Sequence, residues 1–287
     1  MTKLLISKPI VDASLASLKK RAEILKQNGL IPKLAIILIG QDQASLTYTR
    51  NKKLFCEKFG ALCDIIQLPE TVSENSFMDI IRTTCKDSLV HGCLIQLPLP
   101  KHLRHLEVET LIPAHKDVDG FHPLNMYALM KAAPGSSYFC PCTPMGILRL
   151  LEFHNVSVSG KHVVIIGRSL IVGKPLAMLL TNKDATVTLC HSKTIDLRSI
   201  AHEADILISA IGHTKFIDRS FFSTKKQPVV VDVGTNFDSN NKLCGDVDFD
   251  AVNDMVSAIS PVPGGVGPLT VLSLAQNLLQ AAENSVK

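Results

Sequence analysis

Apolar positions along the chain fall into two patterns, stripes with helical spacing and short unbroken runs. Val11–Asn28 carries a helical stripe and stops at Gly29, a residue suited to a left-handed helix end. Leu34–Gly40 is apolar throughout, which predicts a strand buried on both faces. Ala44–Phe59 predicts a helix closed by Gly60, and Cys63–Leu68 a second strand. Ser73–Asp87 reads as a helix with Asn75 or Ser76 at its start. Gly92–Leu97 reads as a third strand, ended by Pro98 and Pro100. This β–α–β–α–β order is that of a mainly parallel sheet covered by helices.

Around residues 110–145 the pattern breaks into Pro, Gly, Asp and His. A second run then follows: helix Thr143–His154 with Pro144 at its first position, strand Lys161–Gly167, helix Gly173–Leu180 and strand Ala185–Cys190. Leu197–Ala204 is helical, Ile206–Ala210 and Val229–Gly234 are strands, and Thr270–Glu283 is a last helix after a Gly- and Pro-rich segment. The fold class is therefore α/β, as two α/β lobes. The second is a Rossmann-like dinucleotide domain, and the active-site cleft is expected between them, near the two irregular segments.

Composition narrows the classes. The 287 residues are 46% hydrophobic and 20% charged, enough apolar surface to offset the entropy of ordering. A net charge of +4, no tryptophan and three tyrosines argue against nucleic acid as a partner. The longest apolar runs are too short to span a bilayer, and the N-terminus shows no secretory pattern, so no membrane and a cytoplasmic location are expected. Eight scattered cysteines without a CxxC read as thiols in a reducing compartment. No metal site is expected, because Cys140-Pro141-Cys142 lacks further ligands at suitable spacing.

The strand at 161–166 runs into Gly167-Arg168-Ser169-Leu170-Ile171-Val172-Gly173. Strand, glycine turn and helix together aim backbone N–H groups at a pyrophosphate. The spacing departs from G-x-G-x-x-G: Ser169 replaces the second glycine and the last comes one residue late, so an ordinary βα turn stands as the alternative. The next strand ends in Cys190-His191-Ser192, with no carboxylate to receive ribose hydroxyls. Arg168 with a hydroxyl donor suits a ribose 2′-phosphate, which favours NADP over NAD; a purely surface Arg168 is the other reading. Tyr48 and Lys52 lie at i and i+4 on one helix face, where a solvated lysine beside a half-buried tyrosine is the plain reading. Short-chain dehydrogenases carry a Tyr-x-x-x-Lys pair too, but there it follows the nucleotide fold, and here it precedes it.

The segments taken in order say more than any one of them. Gly40-Gln-Asp-Gln-Ala-Ser45 leads to Tyr48 and Lys52, followed by Ile95-Gln-Leu-Pro-Leu-Pro100, Lys116-Asp-Val-Asp-Gly-Phe121 and Pro141-Cys-Thr-Pro144. The 167–175 turn, Cys190-His-Ser192, Val231-Asp-Val-Gly234, Gly245-Asp-Val247 and Pro261-Val-Pro-Gly-Gly-Val-Gly-Pro268 complete the series. Over nearly its whole length the chain resembles the bifunctional methylenetetrahydrofolate dehydrogenase/methenyltetrahydrofolate cyclohydrolase family. It departs at Thr235, where an aliphatic residue is more usual, and at Ser260, where threonine is common.

The resemblance implies NADP-dependent oxidation of 5,10-methylenetetrahydrofolate to the methenyl compound, then hydrolysis to 10-formyltetrahydrofolate, in one-carbon metabolism that feeds purine biosynthesis. It implies a homodimer, with a folate-binding catalytic domain at 1–140 plus 269–287 and an NADP-binding domain at 141–268. Lys52, Tyr48, Gln96 and Asp119 become the catalytic set, with Gln96 orienting Lys52. Tyr48, Asp119, Pro263, Gly264 and Gly265 become the substrate contacts. Gly167, Arg168, Ser169, Ile171, Gly173, His191, Ser192 and Thr235 become the cofactor contacts.

The residue chemistry agrees. Hydride loss leaves a cationic amidinium that a charged ammonium would repel, so Lys52 should be at least partly neutral when it acts, and could then activate water. A carboxylate accepts two parallel hydrogen bonds from an amino-pyrimidine edge, the part Asp119 would play, with Asp117 as a turn carboxylate. Gln96 bonded to backbone, and Gly264-Gly265 simply turning the chain, are the plainer readings of those residues. A dehydrogenase-only relative, or a nucleotide sensor that lost its chemistry, are the competing functions; a sensor needs neither the amine nor the pterin carboxylate.

Overall fold

The computed structural model describes residues 2–132, 138–238 and 242–286. Its first elements are β1 (Lys3–Leu4), α1 (Lys8–Gln27), β2 (Lys33–Ile39), α2 (Gln43–Phe59), β3 (Leu62–Leu68), α3 (Glu74–Lys86) and β4 (Gly92–Ile95). Then come α4 (Pro123–Lys131), α5 (Cys142–Phe153), β5 (His162–Ile166), α6 (Gly173–Thr181), β6 (Thr186–Cys190), α7 (Leu197–His202) and β7 (Ile206–Ser209). The last are β8 (Val229–Asp232), β9 (Asn236–Phe237), β10 (Leu243–Cys244), α8 (Phe249–Val252), β11 (Ala258–Ile259) and α9 (Gly267–Asn284).

Two compact units result, Met1–Asp12 with Pro141–Thr270, and Ala13–Cys140 with Val271–Lys287. The second holds a parallel three-stranded sheet in the order β3-β2-β4. Ile37, Phe77, Ile81, Cys93 and Leu103 pack together on that sheet at 1% exposure or less, so each large apolar side chain contributes about 1.5–3 kcal/mol. Beside β4 the chain passes again in parallel, with Cys93 opposite Asp117. The first unit holds a parallel six-stranded sheet, β1-β11-β8-β7-β5-β6. Here β5 has β6 on one side and β7 on the other. The strand order reverses there, which is where such sheets open a crevice at their carboxyl ends.

The N-terminal residues, which the resemblance counts with the folate lobe, pair with the six-stranded sheet: β1 pairs with β11, and Leu5 N–H donates to Ile259 O at 2.9 Å. A two-residue strand is too short to show a period. Helix α4 lies inside the stretch read as irregular. Leu124, Met126, Tyr127, Leu129 and Met130 surround it, so no single apolar stripe marks it. Helix α5 starts at Cys142, which places Pro144 inside the first turn. Among the described residues no helix is long and apolar enough to cross a membrane, and all eight cysteines are free thiols.

Candidate active site

The carboxyl end of β2 turns at Gly40, whose φ of 83° lies in the left-handed region glycine tolerates. Asp42 then caps α2, accepting a hydrogen bond from Ser45 N–H at 2.8 Å, and that bond lowers the Asp42 pKa. The cap fixes where α2 begins and hence which side chains face inward. Ser45, Thr49, Lys52, Cys56 and Phe59 are the buried stripe. Lys52 is 5% exposed, an unusual place for a lysine. Its Nζ donates to Gln96 Oε1 at 3.1 Å and stands 5.6 Å from the Tyr48 ring centroid.

Gln96 follows the last residue of β4 and is tied at both ends. Its backbone N–H donates to Ile37 O at 2.8 Å and its Nε2 to Leu97 O at 2.9 Å, just before a cis Leu97–Pro98 bond. The side-chain bond to Leu97 O leaves Oε1 as the face presented to Lys52. One side chain thus bonds both to backbone and to Lys52.

The two acidic residues of Asp117-Val118-Asp119 part company. Asp117 is buried and accepts from Gly120 N–H, His122 N–H and Asn125 Nδ2 at 3.1, 2.7 and 2.9 Å. Burial raises its pKa against these bonds. It is the internal fastener of the loop that leads into α4. Asp119, two residues on, is half-buried. Since Cys93 sits opposite Asp117, Gln96 and Asp119 leave the sheet at the same end of neighbouring segments.

In the other unit, Gly167 ends β5 with φ 126°, and a Cβ there would lie 2.3 Å from Ala210 O. A Cβ on Gly173 would lie 1.9 Å from Gly167 O. The turn closes so tightly that both positions need glycine, although the spacing is not G-x-G-x-x-G. Arg168 and Ile171 are exposed on it. Ser169 Oγ accepts from Val172 N–H at 3.1 Å and Gly173 N–H at 3.4 Å at the start of α6, which leaves its O–H available as a donor. His191 is held by Thr194 Oγ1, which accepts from its N–H at 2.8 Å, while Ser192 and Thr235 are exposed. Pro263 follows a cis bond, and Gly264 O accepts from both Ser7 N–H and Ser7 Oγ, at 2.9 and 2.7 Å. A Cβ on Gly265 would meet Pro261 O at 2.6 Å, so these glycines turn the chain and also hold its N-terminal segment.

Two buried carboxylates were not singled out by the sequence. Asp232 accepts from Gly234, Asp246 and Val247 N–H, each at 2.9 Å. Burial raises its pKa to about 6 despite those bonds. Asp246 accepts from Ser209 Oγ, Ile211 N–H, His213 N–H and Asn236 Nδ2 at 2.8–3.1 Å. Their signal was present in Val-Asp-Val-Gly and Gly-Asp-Val, an acid between apolar residues beside a glycine. Among the described residues no cluster of His, Cys, Asp and Glu could hold a metal ion.

The sequence matches the profile of the tetrahydrofolate dehydrogenase/cyclohydrolase catalytic domain over residues 5–119, and that of the same family's NAD(P)-binding domain over residues 141–286. It is 49% identical over 262 residues to the bifunctional protein FolD of Lysinibacillus sphaericus (strain C3-41), covering 91% of this chain and 90% of that one. The crystal structure of the Campylobacter jejuni bifunctional FolD enzyme superposes with a TM-score of 0.92 at 39% identity, over 99% of each chain. The Trypanosoma brucei enzyme, solved with NADP cofactor and inhibitor, gives a TM-score of 0.93 at 31% identity, over 100% of this chain and 99% of that one. The chain belongs to the tetrahydrofolate dehydrogenase/cyclohydrolase family and is a bifunctional enzyme of one-carbon metabolism, which oxidises 5,10-methylenetetrahydrofolate with NAD(P) and hydrolyses the methenyl product to 10-formyltetrahydrofolate.

Proposed function

We propose that Lys52 carries the hydrolytic step, with Gln96 and Tyr48 orienting its amine and Asp119 receiving the pterin. The observation that carries this reading is the buried Lys52 amine held 3.1 Å from Gln96 Oε1. Water adds to the methenyl carbon as the Lys52 amine takes the proton from its oxygen. The bond from that carbon to one folate nitrogen then breaks, the nitrogen keeping the electron pair and taking back the proton held by the Lys52 amine, while the remaining hydroxyl proton leaves to water as the formyl C=O forms on the other nitrogen. Gln96 Oε1 fixes one direction of the amine, and Tyr48 covers it with a ring that can also stack on the flat folate. Asp119 pairs with the amino-pyrimidine edge, for which Asp117, already saturated, is unsuited.

NADP, when bound, supplies the hydride acceptor. The Gly167–Gly173 turn fits a dinucleotide because it has room for no side chain at either glycine. Arg168 is exposed on that turn, and no carboxylate stands in Cys190-His191-Ser192, which favours the 2′-phosphate of NADP over NAD. Gly167, Arg168, Ser169, Ile171, Gly173, His191, Ser192 and Thr235 are the proposed cofactor contacts, and Pro263, Gly264 and Gly265 further substrate contacts. The folate-binding catalytic domain proposed at 1–140 with 269–287 is centred on the unit that holds Lys52, and the NADP-binding domain at 141–268 on the unit that holds the Gly167 turn, whose sheet residues 3–4 extend. The family resemblance further supports a homodimer in the cytoplasm, for which light scattering should give twice the chain mass.

The test is Lys52→Met, which keeps the apolar stem and removes the amine. Hydrolysis of methenyltetrahydrofolate above the spontaneous rate should fall by roughly 10²–10⁴-fold, with NADP affinity retained. Wild-type hydrolysis in this variant would remove Lys52 from the reaction.

A further inference from the structure

Asp246 is completely buried, lies far from Lys52 in sequence, and has no part in the hydrolytic chemistry. Both its oxygens are used twice. Oδ1 accepts from His213 N–H and Asn236 Nδ2, both at 2.9 Å; Oδ2 accepts from Ile211 N–H at 2.8 Å and Ser209 Oγ at 3.1 Å. Three of those donors belong to the end of β7 and the loop after it, and the fourth to the segment after β8. That loop lies at the point where the strand order reverses about β5, the position from which an open parallel sheet binds a dinucleotide. It also touches the glycine turn itself: Ala210 N–H donates to Ile166 O at 2.8 Å, and Ala210 O is the atom a Cβ on Gly167 would strike.

Asp246 is in turn held from behind. Its own backbone N–H and that of Val247 donate to the Asp232 carboxylate, which also takes Gly234 N–H. A Cβ on Gly245 would lie 1.8 Å from Asp232 Oδ2, and one on Gly234 2.4 Å from Asp246 Oδ1, so neither carboxylate has slack. A buried acid that accepts four hydrogen bonds is well satisfied, but the same four bonds have another effect. They give the 209–213 loop one conformation before any ligand arrives, and preorganisation lowers the entropy lost on binding.

We propose that Asp246 is a positioning residue for the dinucleotide site, holding the 209–213 loop against the Gly167 turn with Asp232 as its anchor. The proposal rests on the reading of the Gly167–Gly173 turn as the NADP site. An asparagine at 246 has one acceptor oxygen and turns an NH₂ toward either Ile211 N–H or His213 N–H, so one backbone donor is left facing another donor. The loop shifts, and NADP meets a site it must first order.

The experiment uses the full chain and the variants Asp246→Asn, Ser209→Ala and Arg168→Ala. NADP affinity is read by calorimetry, the NADP KM and kcat by hydride transfer, methenyltetrahydrofolate hydrolysis without NADP, and folding by thermal unfolding. For Asp246→Asn we expect NADP affinity to fall roughly tenfold or more and the NADP KM to rise with it, while NADP-free hydrolysis and the folate KM stay within about twofold. Ser209→Ala removes one donor and leaves the carboxylate three partners, so it disturbs folding less than Asp246→Asn, and should weaken NADP by roughly two- to fivefold with the same split. Weakened NADP binding by both Arg168→Ala and the folded Asp246 or Ser209 variant supports the proposal. Weakened binding by Arg168→Ala alone overturns it and leaves the nucleotide site standing. Unchanged binding in all three overturns the proposal together with the reading of the turn. A parallel loss of hydrolysis and NADP binding also overturns it, since that is general damage.

Discussion

Asp117 and Asp119 show how two carboxylates two residues apart come to different work. Asp117 accepts three hydrogen bonds from its own loop and from α4, so replacing it strands buried donors, whereas Asp119 is the carboxylate proposed to receive the pterin. Asp119→Asn should therefore weaken folate and spare NADP, by roughly tenfold or more for two lost charge-assisted bonds. Asp117→Asn should lower the unfolding midpoint instead, by about 1–3 kcal/mol of stability. Calorimetry with each ligand beside urea unfolding separates the two, and an unchanged folate affinity in Asp119→Asn removes it from the pterin site. Asp232 allows a prediction in pH. Its folded pKa is about 6, raised from an ordinary 3.8 by burial, so the folded chain holds this proton more tightly than the unfolded one. The stability it contributes is present in full below the unfolded value and is lost as pH rises through the folded one. Between about pH 4 and pH 7 the stability of the wild type relative to Asp232→Asn should fall, by up to about 3 kcal/mol. A difference that stays flat, or rises, over that range would show that the three N–H donors outweigh burial.

At the scale of elements, the strands and long helices were readable because each buried apolar run or stripe has the right length and a turn residue at its end. The run Leu34–Gly40 became β2, and Asp42 and Gly60 bound α2 between its cap and its left-handed stop. What escaped has a common cause. The strands β1 and β11 are two residues long, and their pairing is a long-range event to which no local pattern corresponds. Helix α4 is short and apolar on several sides, so its sequence resembles the loop around it. The candidate site divides in the same way. Lys52 and Tyr48 share a face of one helix, so their neighbourhood followed from spacing. That Gln96 would meet Lys52 did not, because it depends on where β4 ends beside β2. That Ser169 Oγ would accept from two N–H groups at the start of α6 was likewise not legible, because it depends on how the turn closes. The Asp232–Asp246 pair was invisible as a pair because its partners come from three separate loops.

At the scale of the whole molecule, the chain ends do not belong to the units nearest them in sequence. The first residues extend the larger sheet, and from Val271 onward α9 belongs to the unit that holds Lys52. Within that unit Leu272, Leu274, Leu278 and Leu279 of α9 are at most 2% exposed, and Asn277 Nδ2 donates to Val118 O at 2.8 Å and Cys140 O at 3.0 Å. Glu283 closes the end of the helix onto α1 with two bonds to Arg21, Nε to Oε1 and Nη2 to Oε2, each at 2.8 Å. The ion pair is about one third exposed and adds little, so the apolar face decides the stability. Four buried leucines amount to about 6–12 kcal/mol of transfer free energy, comparable to the whole stability of an ordinary domain. A chain ending at Thr270 should therefore lose the cooperative unfolding of the Lys52 unit and with it methenyltetrahydrofolate hydrolysis. Its other unit keeps the six-stranded sheet and the Gly167 turn, and should still bind NADP within about tenfold of the full chain. Calorimetric melting, NADP titration and the hydrolysis assay on the truncated chain measure all three. Retained hydrolysis would show that α9 is dispensable to the unit it completes, and loss of NADP binding would show that the two units do not fold independently.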